Sequence, residues 1–543
     1  MKGLEALSRL FKGRKKTIFR KISFKEPKHL IVIPDFKKIS EVDFRYPLIE
    51  PFAYAHIKWV PKEKKLIYVI EEPELNEKEK KILQTIETDL AETIDVKLSA
   101  FRSRREIIDY IQKKVTDIIE DEALQIPERS YTKIMYYIIR DFVGLNEIEP
   151  LMHDPYIEDI GCSGLNTPVY IVHKKFGSIE TNIVYTDAEK LSNFVIKLSE
   201  RCGRYISYAT PLMDGSLPDG SRVQASFARD VTTKGPTFSI RKFRKNPFSP
   251  TDLIKLNTTS LDMMAYLWFL VQHNASILIC GGVSTGKTSM LNVLSMFIPP
   301  EKKIISIEDT REINLPHENW IPSVSRAGFG MPDVSGKRYG EVNLFDLLKE
   351  SFRQNPDYVV VGEVRGSEAY VMFQGMASGH PSMGTIHAGS VEDVIKRLET
   401  PPIELSPSLI ESLDIIIVMV NAKEKGKSAR RVKEVVEIQS ADPKTGVVHT
   451  KQIFAWIPIE DIFKSELSQS ELLQRISFQE GMPITDIMRE LEDRKKVLQW
   501  MVRNNISQFE HVCKIINLYY KDKKEVMKMV EKNKNPFKVH TPG

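Results

Sequence analysis

The chain is poor in cysteine: four occur in 543 residues, at Cys162, Cys202, Cys280 and Cys513. None forms a CxxC pair, which speaks against a zinc knuckle or a disulfide framework. Isolated thiols in a chain of this length fit a reducing, cytoplasmic setting. Long apolar runs are missing as well. The most apolar stretches, MMAYLWFLVQ (263–272) and LDIIIVMV (413–420), fall well short of the ~20 apolar residues of a spanning helix. They read instead as a core helix and a buried strand. An excess of one charge is also absent, with 78 basic and 73 acidic residues giving a net charge of +5. That balance argues against a protein built to coat nucleic acid. The N-terminus does not read as a signal peptide, because its apolar run is short and more positive charge follows it.

What is present suits a large globular protein. Hydrophobic residues make up 42% and charged residues 28%, enough for a sizeable core. The length allows two to four domains of roughly 100–200 residues. Residues 1–28 are basic with interleaved apolar positions, Leu4, Leu7, Leu10 and Phe11 at helical spacing. Two readings stand for this tail: a solvated arm, or a docking element for an anionic membrane surface. Residues 29–100 read as a small α/β region with an amphipathic helix in ELNEKEKKILQTIETDLAETI. Residues 101–244 begin with two helical stretches and continue as short strands, among them SRVQASFA and TFSIRKF. Residues 245–254 read as a linker or hinge. Residues 255–460 alternate strand and helix, the pattern of a mostly parallel sheet covered on both faces. Residues 461–543 are charged and helical.

The strongest motif is GGVSTGKT, Gly281 to Thr288, which matches G-x-x-x-x-G-K-[ST] and is followed by Ser289. It follows the apolar strand SILIC and opens the helical pattern KTSMLNVLSMF. Gly281, Gly282 and Gly286 let the backbone of Val283, Ser284 and Thr285 curl so that N–H groups face phosphate oxygens. Lys287 would reach the β- and γ-phosphates, and the Thr288 hydroxyl would ligate Mg²⁺. Two acidic strand ends compete for the second role: IISIED ends in Glu308 and Asp309, and YVVVGEV carries Glu363. Gly362 stands where a Walker B strand ordinarily has Asp. One carboxylate can serve Mg²⁺, directly or through water, and another can serve the attacking water. Arg222 and Arg241 are candidates for neutralising charge on the transferring phosphoryl group. His380 and His387 lie in SGHPSMGTIHAGS, where the strand pattern puts His387 on the same sheet edge as the two glutamates. Their spacing does not suit a zinc site.

Together these pieces resemble the secretion-type hexameric ATPases of type II and type IV secretion, type IV pili and archaella. GGVSTGKT resembles the Walker A loop, IISIEDTREINLP the Asp box, RQNPDYVVVGEVRGSEA an atypical Walker B with Gly-Glu, and SGHPSMGTIHAGS the His box. LPDGSRVQ and FSIRKF resemble the arginine-bearing strands. IEDTREINLPHENW and the stretch from ETPPIELSP to VKEVVEI are most similar to the archaellum motor ATPase. The tetracysteine insert of many bacterial type II ATPases is absent. The resemblance implies an α/β fold: a RecA-like P-loop core, a preceding α+β N-terminal domain, a further N-terminal α/β region and a C-terminal helical extension. It implies ATP and Mg²⁺ as cofactors, Glu308 as the hydrolytic carboxylate, and Glu363 holding Mg²⁺ through water. It implies that Arg222 and Arg241 act on ATP, at least one across a subunit boundary, and that His387 lies near the γ-phosphate. A homo-hexamer is implied, at the inner face of the cytoplasmic membrane, working on a polytopic platform protein and without nucleic acid. A pilus-assembly or secretion ATPase, a nucleic-acid translocase and a non-motor scaffold are the alternatives.

Overall fold

The computed structural model describes residues 33–537, apart from positions 35, 95–100, 102, 229, 244–245, 327, 329–337, 425–426 and 443–444. The basic tail over 1–28 and part of the linker therefore lie outside the described residues. The chain divides into two compact units, Met1–Lys242 and Phe243–Gly543.

In the N-terminal unit, strands β1 (Asp43–Ile49), β2 (Ala53–Val60) and β3 (Lys65–Glu71) form an antiparallel meander. In β3 every second residue is buried, the period-2 signature of a sheet covered on one face. Six more strands follow: β4 (Ile157–Cys162), β5 (Pro168–His173), β6 (Gly177–Val184), β7 (Leu212–Ser216), β8 (Arg222–Ser226) and β9 (Thr237–Arg241). Because β3 runs parallel beside β6, strands from the 29–100 and 101–244 regions share one nine-stranded sheet, ordered β1-β2-β3-β6-β5-β4-β9-β8-β7. Buried Asp154 helps join them, accepting hydrogen bonds from Tyr46 Oη on β1 and Tyr68 Oη on β3, both at 2.6 Å. Helices α1 (Glu77–Thr93), α2 (Arg104–Asp121) and α3 (Glu128–Ile138) build a separate core from Ile86, Leu90, Ile111, Val115, Ile134 and Met135. Helix α4 (Ala188–Arg201) packs on the sheet through Leu191, Phe194 and Leu198.

The C-terminal unit opens with α5 (Pro250–Lys255). Ser249 caps this helix, Pro250, Thr251 and Leu253 are buried, and Thr251 Oγ1 donates to the Ile506 carbonyl at 2.9 Å. Residues 250–254, read from sequence as the end of the linker, are thus a packed helix, opened by a capping box with Pro250 at its first position. Next come α6 (Leu261–Gln272), β10 (Ile277–Gly281), α7 (Lys287–Ser295), β11 (Ile304–Glu308), β12 (Trp320–Val324), α8 (Leu344–Arg353) and β13 (Tyr358–Val364). Then follow α9 (Glu368–Ala377), β14 (Ser382–Ile386), α10 (Val391–Glu399), β15 (Ile415–Glu424), β16 (Lys427–Ala441), β17 (Val448–Ile457) and β18 (Ile462–Ser465). The helices α11 (Glu471–Glu480), α12 (Ile484–Arg503), α13 (Phe509–Lys521) and α14 (Lys523–Glu531) end the unit.

The strand order is β12-β11-β13-β14-β10-β15-β16-β17-β18, parallel from β12 to β15 and antiparallel beyond. Strands β10, β11 and β14 are buried at every position, as a parallel sheet covered on both faces requires. Alternate residues serve two cores. Ile277, Ile279, Ile304, Val360 and Ile417 face α6, α7 and the C-terminal helices; Leu278, Cys280, Ile305, Val361 and Val418 face α8, α9 and α10. This is the RecA-like P-loop fold with a C-terminal helical extension. No helix among the described residues is long and apolar enough to cross a membrane.

Candidate active site

The phosphate-type loop joins β10 to α7. Gly281 has φ +158°, and a Cβ there would lie 2.5 Å from the Met419 carbonyl oxygen and 2.6 Å from Thr285 Oγ1. No side chain fits at that position. Gly286 caps α7 at φ +94°, in the left-handed region that glycine adopts freely. Gly282, Val283 and Ser284 form the exposed crest, while Thr285 is buried and donates to the Gly282 carbonyl at 3.0 Å. Lys287 Nζ donates to the carbonyls of Gly281 at 3.1 Å and Gly282 at 2.9 Å. Thr288 and Ser289 lie in the first turn of α7, Thr288 half-buried. The first N–H groups of that turn have no partner inside the helix, and the helix dipole adds positive potential there. The loop offers an anion cradle.

The neighbouring strand ends meet this cradle in one connected line. Lys287 Nζ lies 3.4 Å from His387 Nδ1, and His387 Nε2 lies 3.3 Å from Glu363 Oε1. Glu363 Oε2 accepts from Arg365 Nη2 at 2.7 Å, and Arg365 Nη1 is 3.6 Å from Asp309. An ammonium on one side of His387 and a carboxylate on the other suit a neutral ring with its proton on Nε2. Burial, then the Lys287 charge, hold the His387 pKa below its usual value, in keeping with that form. The hydrogen bond from Arg365 is the main cause holding Glu363 below the usual carboxylate range. Burial likewise lowers Lys287.

Glu363 sits in a β-bulge. Val361 faces Gly384 and Val364 faces Ile386, so Gly362 and Glu363 together oppose Thr385, whose hydroxyl donates to the Gly362 carbonyl at 2.6 Å. Bulges re-aim side chains. The absence of an acid at Gly362 also has a spatial cause: a Cβ there would lie 3.0 Å from Glu308 Cγ on the adjacent strand. Glu308 occupies the space an aspartate would need. Glu308 is itself buried, with Oε1 accepting from the backbone N–H of Glu312 at 2.8 Å and Ile313 at 2.9 Å. Its Oε2 is buried with no hydrogen-bond partner among the described residues. Burial pushes the Glu308 carboxyl up to about 7.

Arg222 and Arg241 lie in the N-terminal unit, directly opposite each other on β8 and β9. Arg222 pairs with Asp214 at 2.6 Å and Arg241 with Asp159 at 3.2 Å. His380 follows α9, where its ring stands edge-on to Phe352 at 5.2 Å, away from the line just described. Sequence reading did not single out Arg365, which bridges two acids, or Arg397, which donates to the His387 carbonyl at 2.8 Å. The signal for Arg365 was a cation two residues after a strand-end glutamate. Arg397 gave no such signal.

The family model described as type II/IV secretion system protein matches residues 148–500. The chain belongs to that family. Its P-loop core is that of a secretion ATPase. Among relatives, the uncharacterized protein MJ0900 of Methanocaldococcus jannaschii is 34% identical over 517 residues, covering 90% of this chain and 92% of that protein. The type IV secretion system protein PtlH of Bordetella pertussis is 30% identical over 276 residues, covering 44% of this chain and 78% of PtlH. Among solved structures, the VirB11 ATPase of the Brucella suis type IV secretion system is 23% identical with a TM-score of 0.27, covering 53% of this chain and 92% of that one.

In this secretion ATPase no cluster of three or more His, Cys, Asp or Glu among the described residues could hold a metal by itself. Mg²⁺ takes one or two protein oxygen ligands and completes its shell with water and substrate phosphates. Thr288, next to Lys287, and Glu363, on the far side of His387, carry oxygens of the kind such an ion takes.

Proposed function

We propose that this chain is a subunit of a homo-hexameric ATP-hydrolysing motor that powers assembly, rotation or both of an archaellum. It would work at the inner face of the cytoplasmic membrane, in peripheral contact with the membrane and with a polytopic platform protein. The observation that supports the ATP chemistry best is the line Lys287–His387–Glu363–Arg365–Asp309 beside the loop 281–289. In this reading the loop's N–H groups and Lys287 hold the β- and γ-phosphates. Thr288, and Glu363 through water, would hold Mg²⁺, which would supply positive charge beside the phosphoryl oxygens. Glu308 orients the attacking water and takes its proton. His387 reads the γ-phosphate from its place between Lys287 and Glu363. Arg222 and Arg241 neutralise the transferring charge, at least one of them from a neighbouring subunit.

The archaellum assignment rests on the segments 307–320 and 399–438, which resemble the archaellum motor ATPase. It is supported by a relative of similar length in an archaeon. Pilus assembly or secretion is the second reading, favoured by the likeness of the core to a type IV secretion protein. Gene deletion separates them. Loss of archaella with pili intact supports the first; loss of pili or secretion with archaella intact supports the second; neither loss refutes both. The shared site is tested by mixing Arg241→Ala subunits with Lys287→Ala subunits. Recovery of ATP turnover is expected, and inactive mixtures would refute a site completed across subunits by Arg241.

A further inference from the structure

The hairpin of β15 and β16 leaves the sheet beside the phosphate loop, since Met419 on β15 lies opposite Gly281. Two positions further on, Asn421 and Arg430 face each other directly across the hairpin. Their side chains converge on consecutive carbonyls of the loop crest. Asn421 Nδ2 donates to the Val283 carbonyl at 3.4 Å, and Arg430 Nε donates to the Ser284 carbonyl at 2.9 Å. The Arg430 stem also lies along Gly286, where a Cβ would meet Arg430 Cδ at 3.2 Å. Between these contacts Ser284 is held at φ +59°, a conformation that residues with side chains disfavour.

Peptide planarity turns these two contacts into a device. The carbonyl and the N–H of one trans peptide point in opposite directions. Pinning the Val283 carbonyl outward therefore aims the Ser284 N–H to the other side, and pinning the Ser284 carbonyl does the same for the Thr285 N–H. We propose that Asn421 and Arg430 are positioning residues, a two-point clamp on the crest of the phosphate loop that holds its N–H groups in the nucleotide-binding shape before nucleotide arrives. The base of the loop is held separately, by Thr285 and Lys287 on the Gly281 and Gly282 carbonyls. The inference rests on the loop binding ATP. Without the clamp, ordering the left-handed turn becomes part of the binding step and weakens it.

The test uses the full chain, with a fluorescent ADP analogue displaced by ATP or ADP, alongside steady-state turnover. Arg430→Ala should weaken both nucleotides about 5- to 10-fold and raise KM to match, with kcat within about twofold, on the scale of one strained backbone residue. Asn421→Ala should weaken both about 2- to 3-fold, since its bond is longer, and it serves if Arg430→Ala does not fold. Arg430→Lys, which keeps a donor, should recover most of the loss. Unchanged binding in both alanine variants overturns the clamp. So does a loss confined to ATP, which would mark a direct γ-phosphate contact, or a loss of kcat at constant KM. Failure of the wild-type chain to bind either nucleotide would instead overturn the ATP reading of the loop.

Discussion

Replacing Glu308 by Gln removes a charge that the fold disfavours while keeping the side chain's shape. The wild-type carboxyl is 2% exposed, with two backbone N–H bonds to Oε1 and none to Oε2. Burial outweighs those bonds and lifts its pKa from 4.5 to about 7. The folded chain therefore holds the proton more tightly than the unfolded chain. Its contribution to stability is full below about pH 4.5, declines through the window up to about pH 7, and is level above. That rise corresponds to about 3 kcal/mol. The Glu308→Gln variant has no such dependence, but it places an amide donor without a partner where Oε2 lies, costing about 1–3 kcal/mol. The expected result is a variant less stable than wild type at pH 5 and equal or more stable at pH 8. Urea unfolding of both proteins at pH 5, 6, 7 and 8 reads this as a difference curve moving about 2–3 kcal/mol in favour of the variant. A flat difference curve would refute the raised pKa of the buried carboxyl. ATP turnover should fall at least about 100-fold with nucleotide binding kept, since the water loses its base; near-normal turnover would remove Glu308 from the chemistry.

Three further changes probe the same strand ends. Gly362→Asp supplies the acid usual in a Walker B strand, yet its Cβ would press on Glu308 Cγ at 3.0 Å. It should lower unfolding stability by about 1–3 kcal/mol and abolish turnover, and an active, stable variant would show that Glu308 does not occupy that space. Arg365→Ala removes the main cause of the lowered Glu363 pKa, so Glu363 should protonate at higher pH. The acid limb of the turnover profile should shift upward and the Mg²⁺ needed for half-maximal turnover should rise; an unmoved profile would refute the Arg365–Glu363 coupling. His387→Ala should cut turnover about tenfold, below the usual range of acid–base effects because the residue reads the phosphate rather than moving a proton, while ADP binding changes less than about twofold. Full turnover in that variant would end its role as the phosphate-reading group.

The loop Gly281–Ser289 was legible because its chemistry is local. Three glycines, a lysine and a threonine between an apolar strand and a helix carry their geometry in the backbone. The same holds for the acids: an apolar run that ends in a carboxylate puts that carboxylate at a strand end, wherever the strand goes. The packed helix Pro250–Lys255 was harder to read, since its composition is that of a linker. Its burial depends on Ile506, 255 positions away from Thr251 in the chain.

By itself, then, the sequence determined which residues stand at the C-terminal ends of β10, β11 and β13, and that His387 follows β14, through apolar periodicity and a short-range motif. Only the tertiary structure decided which of them meet. The order β11-β13-β14-β10 places Glu308 against Gly362, and Glu363 within reach of His387 and Lys287. It also brings Asn421 and Arg430 onto the crest of a loop 138 and 146 positions earlier in the chain. The physical reason is that backbone conformation is set by near neighbours, whereas side-chain contact across a sheet is set by strand pairing, which a local pattern does not encode.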